Sequence, residues 1–117
     1  MPDRSMSGMA QTVLGPVDPK SLGPTMTHEH LFIDFRLTFV PPADQTVQHL
    51  ARQPLSLENL SWVRYNHYSN LDNLTLLDEA VAAQEAQLFR HAGGGTIVDV
   101  TTIGIGRYPL ALERLAR

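Results

Sequence analysis

A chain of 117 residues has room for one modest domain with a core. Its charged fraction, 18%, lies below the roughly 25% of an average soluble domain, which fits strands buried on both faces. The net charge of −3 without a basic run argues against nucleic acid as a partner, and the lack of cysteine excludes disulfides and thiolate zinc sites.

The opening stretch, MPDRSMSGMAQTV, has no apolar core of a secretory signal, and no segment approaches the ~20 apolar residues of a membrane span. A soluble cytoplasmic protein without a membrane partner is expected. Residues 1–10 read as a flexible polar tail, and 11–117 as part of a single domain. QTVLGPVDPKSLGPTMTHEH alternates short apolar runs with Gly-Pro and Asp-Pro punctuation, which marks turns. Short strands are therefore predicted at Thr12–Leu14 and Thr25–Thr27, the second continuing through HLFIDF. Pro41, Pro42 and Pro54 make 36–56 a long loop with a helical turn around QTVQHLA, and loops of that length are functional or disordered.

LENLSWVRYNHYS predicts a short helix. In the next one Thr75 and Asp78 have the spacing of a capping box. Leu74, Leu77, Val81 and Leu88 share one sector at 3.6 residues per turn, interrupted by Gln84. HAGGG ends that helix, because glycine takes the left-handed cap without steric cost. TIVDVTT has the β-branched content of a buried strand. IGIGRYPLALERLAR leads into a third helix with Tyr108, Ala111, Leu112 and Leu115 on one face. The order is the β/α alternation of a parallel sheet covered by helices. Two parallel strands leave both sheet edges open, so a truncated part of a larger domain is expected.

His28 and His30 carry the strongest chemical signal. Residues i and i+2 of a strand project from one face. The two imidazoles then stand side by side, close enough to hold one ion, and imidazole suits zinc and other first-row divalent metals. Spacing alone leaves open the alternative of two polar residues at an exposed strand end.

The surrounding GPTMTHEHLF closely resembles the first barrel strand of the phosphotriesterase family, within the amidohydrolase superfamily. QTVLGPVDPKSLG resembles that family's N-terminal segment, and GGGTIVDVTTIGIGR its second barrel strand and the following loop. The likeness runs in order from about residue 11 to the end and points to the phosphotriesterase-related branch of animals. It implies an α/β fold, a partial (β/α)8 TIM barrel with the N-terminal strands and helices only, since a whole barrel needs about 250 residues. It implies two divalent metal cations, zinc, at the C-terminal face of the strands, with His28 and His30 as ligands of the more buried one. The family's other ligands are a bridging carboxylate, two histidines and an aspartate from later strands, which are not found here. The implied activity is hydrolysis of a small-molecule ester, phosphotriester, lactone or small N-acyl amide by a hydroxide generated at the metal pair. Two protein ligands fall short of the three of a catalytic zinc, so the chain alone is expected to be inactive. A second reading is a non-catalytic truncated product that acts as a binding or interaction fragment.

Other residues receive blander readings. Glu29 points away from the two histidines and reads as structural, and Thr27 as backbone-defining. Thr101 and Thr102 end the second strand, where catalytic and substrate groups of a barrel cluster, and barrel packing is the favoured role. Asp99 is expected to be hydrogen-bonded if buried. Arg107 follows Gly106 at a helix start and is a candidate substrate contact, or else a solvated surface arginine. His49, His67 and His91 read as surface or helix-end residues, and Trp62, Tyr65 and Tyr68 as packing groups.

Overall fold

The structure, a computed structural model, describes residues 7–117. Strand β1 (Ala10–Thr12) and strand β2 (Gly15–Val17) form an antiparallel hairpin, with Ala10 opposite Val17 and Thr12 opposite Gly15. The strand predicted at Thr12–Leu14 is thereby corrected, because Val13 and Leu14 form the turn. The Thr12 hydroxyl closes that turn, donating to the Gly15 carbonyl at 2.7 Å and accepting from Leu14 N at 3.1 Å. Gly15 supplies the positive φ of 114° that the reversal needs. β1 begins inside the expected tail, of which residues 1–6 lie outside the described residues.

Strand β3 (Thr25–Glu29) runs parallel to strand β6 (Thr96–Asp99). Met26 faces Ile97 and Glu29 faces Asp99, so β3 carries one residue more than β6 over that interval. The excess is a bulge at Thr27–His28. Bulges are rare in parallel pairs and re-aim side chains where they occur. The single strand expected through HLFIDF is broken after Glu29, because the next free backbone donor, Leu31 N, goes to the Asp99 carboxylate at 2.8 Å. The chain resumes as strand β4 (Ile33–Asp34), which pairs antiparallel with strand β5 (Thr75–Leu76).

The proline-rich stretch 36–56 is ordered by polar contacts. A run of 3-10 turns, Gln45–Arg52, starts at Asp44, whose carboxylate accepts from Thr46 N at 2.8 Å. Asn70, fully buried, donates to the Leu50 and Gln53 carbonyls and accepts from Asn73 N. Asn59 accepts from Ser56 N and donates to the Pro54 carbonyl. These two amides bond the Leu50, Gln53 and Pro54 carbonyls and Ser56 N, backbone groups that a loop leaves without a ladder partner. Helix α1 (Leu60–Tyr65) is shorter than LENLSWVRYNHYS predicts, because Asn66 leaves helical geometry and bonds back to the Trp62 carbonyl.

Helix α2 (Glu79–His91) starts at Asp78, whose carboxylate accepts from Ala80 N and Val81 N. The predicted capping box is corrected, since Thr75 sits in β5 and its hydroxyl donates to the Asp72 carbonyl. The predicted apolar stripe is corrected too. Leu74 is buried, but Leu77, Val81 and Leu88 are exposed. The helix instead packs by Ala82, and helix α3 (Pro109–Ala116) packs by Ala111, which is wholly buried. Phe32 joins them, flanked by Leu31, Leu112 and Leu115. Tyr108 sits edge-on to Phe32 with ring centres 6.4 Å apart. At the rim Arg114 donates to both Glu79 carboxylate oxygens and to the Tyr108 hydroxyl, linking α3 to α2. That hydrogen bond with Glu79 raises the Arg114 pKa and lowers that of Glu79.

Candidate metal centre

The C-terminal ends of β3 and β6 lie side by side, and backbone and side chain both tie them together. Val100 N donates to the Glu29 carbonyl at 2.9 Å. The Asp99 carboxylate accepts from Leu31 N through one oxygen at 2.8 Å and from Thr101 N through the other at 2.9 Å. One side chain thus bridges the segments that carry His30 and Thr101.

His28 and His30 stand where these strands end. Their rings meet edge to face with centres 5.6 Å apart, so the i, i+2 rule survives the bulge. His28 is exposed and His30 half-buried. A ring nitrogen about 2.1 Å from a zinc ion puts the ring centre about 3.2 Å away, so two imidazoles on one tetrahedral ion have centres roughly 5.2 Å apart. The observed separation fits that geometry. Among the described residues no third His, Cys, Asp or Glu joins them into a metal-binding group. The pair fits part of one ion's shell, not a complete site.

His30 Nδ1 lies 2.9 Å from the Thr101 hydroxyl oxygen, which is also 3.3 Å from the Phe32 carbonyl oxygen. Thr101 is buried. Packing was its favoured role over a catalytic or substrate one, and its contact with the histidine is given by the structure. Beside Thr101 opens a hollow of about 450 Å³ lined by Asp99–Gly104 and Arg107. His28 and His30 are not in its lining, and Thr101 is the residue shared by the hollow and the histidine contact. Arg107 sits in the loop before α3, not at a helix start, after Gly106 turns the chain with φ 85°. Arg107 N donates to the Thr102 carbonyl, and the guanidinium forms no ion pair among the described residues.

The remaining candidates scatter. His49, His67 and His91 are exposed and distant in the chain from the strand ends. Tyr68 stacks against Phe35 and His67, but Tyr65 is exposed, so its expected packing role is corrected: α1 ends there with that face toward solvent. Glu29 is half-buried between the two histidines.

Paired strand-end imidazoles beside an ordered carboxylate and hydroxyl are side chains of the kind that hold and orient part of a divalent cation's shell. The sequence profile of the Phosphotriesterase family matches residues 8–117, and the chain belongs to that family. It is 47% identical over 116 residues to an N-acetyltaurine hydrolase of Salmo salar, covering 97% of this chain and 32% of that protein. A phosphotriesterase-related protein of Nematostella vectensis is 42% identical over 113 residues, covering 94% and 32%. The crystal structure of a resiniferatoxin-binding protein from Rhodobacter sphaeroides superimposes with a TM-score of 0.91 at 42% identity, over 94% of this chain and 31% of that one. The chain therefore spans about a third of the length of the relatives it matches.

Proposed function

We propose that this chain contributes the opening strands of a (β/α)8 barrel hydrolase with a pair of divalent cations, zinc, in which His28 and His30 hold one cation. The observation that carries the reading is the imidazole pair, 5.6 Å apart at the C-terminal end of a strand in a parallel pair, since barrel active sites form at that end. A bound divalent cation supplies Lewis acidity and lowers the pKa of water. The chain's own share is to present two imidazoles side by side at the end of β3 and to hold the His30 ring by its contact with Thr101 after β6.

Of the bonds open to such a site, a small N-acyl amide is favoured, because several relatives carry the name N-acetyltaurine hydrolase. Arg107 is the candidate contact for an anionic end of that substrate: its guanidinium has no carboxylate partner among the described residues, and the residue is part of the lining of the hollow next to Thr101. The test is metal analysis and turnover of N-acetyltaurine by the full-length protein. Two divalent cations per chain, and turnover lost on chelation and in His28→Ala and His30→Ala, is the expected result. Undiminished turnover after chelation overturns the reading.

A further inference from the structure

We propose that Thr101 is a positioning residue for His30: its hydroxyl holds the imidazole as the Nδ1–H tautomer and leaves the Nε2 lone pair free for a divalent cation. The inference rests on the reading of His30 as a ligand, and adds how this ring is prepared. A histidine offers a metal only the nitrogen that carries no proton, and the hydrogen bond made by the other nitrogen decides which that is.

The direction of the bond follows from counting protons. The Thr101 hydroxyl has one proton and two neighbours, His30 Nδ1 at 2.9 Å and the Phe32 carbonyl at 3.3 Å. The carbonyl can only accept. If the hydroxyl donated to Nδ1, one bond would form and the Phe32 carbonyl would lose its only partner among the described hydrogen bonds. If Nδ1–H donates to the hydroxyl, the hydroxyl proton turns to Phe32 and both bonds form. Thr101 is 5% exposed, so water does not replace the missing bond, and buried polar groups are paired. The bond to Phe32 is long and the weaker of the two, yet it settles the direction of the stronger one.

The hydroxyl is also held in register with the ring. Asp99 accepts from Thr101 N and from Leu31 N, the residue after His30. Neither segment can slide without breaking that clamp.

The test uses the full-length protein with histidine labelled at its ring nitrogens. After metal removal, at about pH 8.5, two units above the ordinary histidine value, nitrogen chemical shifts report the tautomer of His30, assigned by its loss in His30→Gln. Nδ1–H is expected in the unaltered protein and in Thr101→Ser, with a shift toward Nε2–H in Thr101→Val. Zinc affinity from chelator competition is expected to fall about tenfold or more in Thr101→Val, as for loss of other groups that orient a ligand, and to recover in Thr101→Ser. An Nε2–H tautomer in the unaltered protein overturns the proposal, even if Thr101→Val does not fold. So does a folded Thr101→Val whose tautomer and zinc affinity stay within twofold of the original. Unchanged zinc affinity in His28→Ala and His30→Ala would sink the ligand reading instead, while the tautomer result still decides the role of Thr101.

Discussion

Asp99 is a carboxylate whose two oxygens each accept a backbone N–H, one from each strand end. Asparagine has nearly the same shape but only one acceptor oxygen, so its NH2 would face either Leu31 N or Thr101 N, donor against donor. Asp99→Asn is expected to cost about 1–3 kcal/mol, read as a lower urea midpoint of the full-length protein; an unchanged midpoint would mean that the clamp does not hold the strand ends. Asp34 behaves differently because it is at the surface. Hydrogen bonds from the Arg36 side chain and backbone hold its carboxyl at about 2. A depressed folded value means stabilisation that is present above the ordinary aspartate pKa and lost as pH falls through about 2. Asp34→Asn is expected to lower stability by ~0.5 kcal/mol at pH 7, as exposed pairs do, with the difference closing between pH 4 and pH 2. A difference that stayed constant over that range would assign it to packing. The histidine pair was legible at this scale because the strand period alone brings i and i+2 together. The Thr101 contact was not, since it joins residues 71 positions apart and depends on the β3–β6 register.

At the scale of elements, helix positions were legible, and so was the buried face of α3, where Ala111, Leu112 and Leu115 pack as their spacing predicts; the buried face of α2 was not. In α2 periodicity found a sector of Leu77, Val81 and Leu88, but a second sector of Ala82, Ala83, Ala86 and Phe89 turns inward. The alanines there let α3 approach until Ala111 is wholly buried, while Leu77, Val81 and Leu88 remain outside. Hydrophobic pattern ranks sectors by apolarity and has no term for how closely a neighbouring helix must approach. The break in HLFIDF has a related cause, since β4 pairs with β5, far along the chain; the turn after Thr12 is local and rests on the positive φ of Gly15. Glycine gives this scale its sharpest test. Gly95 N donates to the Pro24 carbonyl at 2.9 Å as β6 begins, and a Cβ there would collide with the Leu22 carbonyl oxygen. Because the obstacle is backbone, it cannot swing aside. Gly95→Ala is expected to destabilise the full-length protein by ~1–3 kcal/mol, checked by thermal melting. Gly104→Ala serves as the control, as its Cβ would meet nothing within 4 Å. Equal shifts in the two variants would remove the steric argument.

At the scale of the whole molecule, the chain is too open to be held by its own core. Its radius of gyration is 18.2 Å and its extents are 61 × 36 × 21 Å, where a compact domain of this length has a radius of roughly 13 Å. Its accessible surface of 8779 Å² compares with roughly 6300 Å² for a folded monomer of this mass. The excess is apolar in part, since Leu77, Val81, Leu88, Val98 and Ile103 are exposed. The β3–β6 pair also leaves a free edge on each side among the described strands, and such edges attract other chains. Among the described residues the buried apolar ones are few: Phe32, Ala51, Val63, Leu74, Ala82 and Ala111. Three of them are alanines, whose burial contributes little. Net stability is a small difference between apolar burial and chain entropy, so a deficit of burial on this scale removes it. The isolated 117-residue chain is expected to lose its circular dichroism signal over a broad range without a cooperative transition, to bind an apolar dye such as ANS, and to sediment as a self-associating species. Helix signal need not vanish, because α2 keeps its aspartate cap. A sharp melt from a monomeric chain that binds no dye would refute this, and would mean that the loop-ordering amides of Asn59 and Asn70, with the Arg114–Glu79 link, suffice where apolar burial does not.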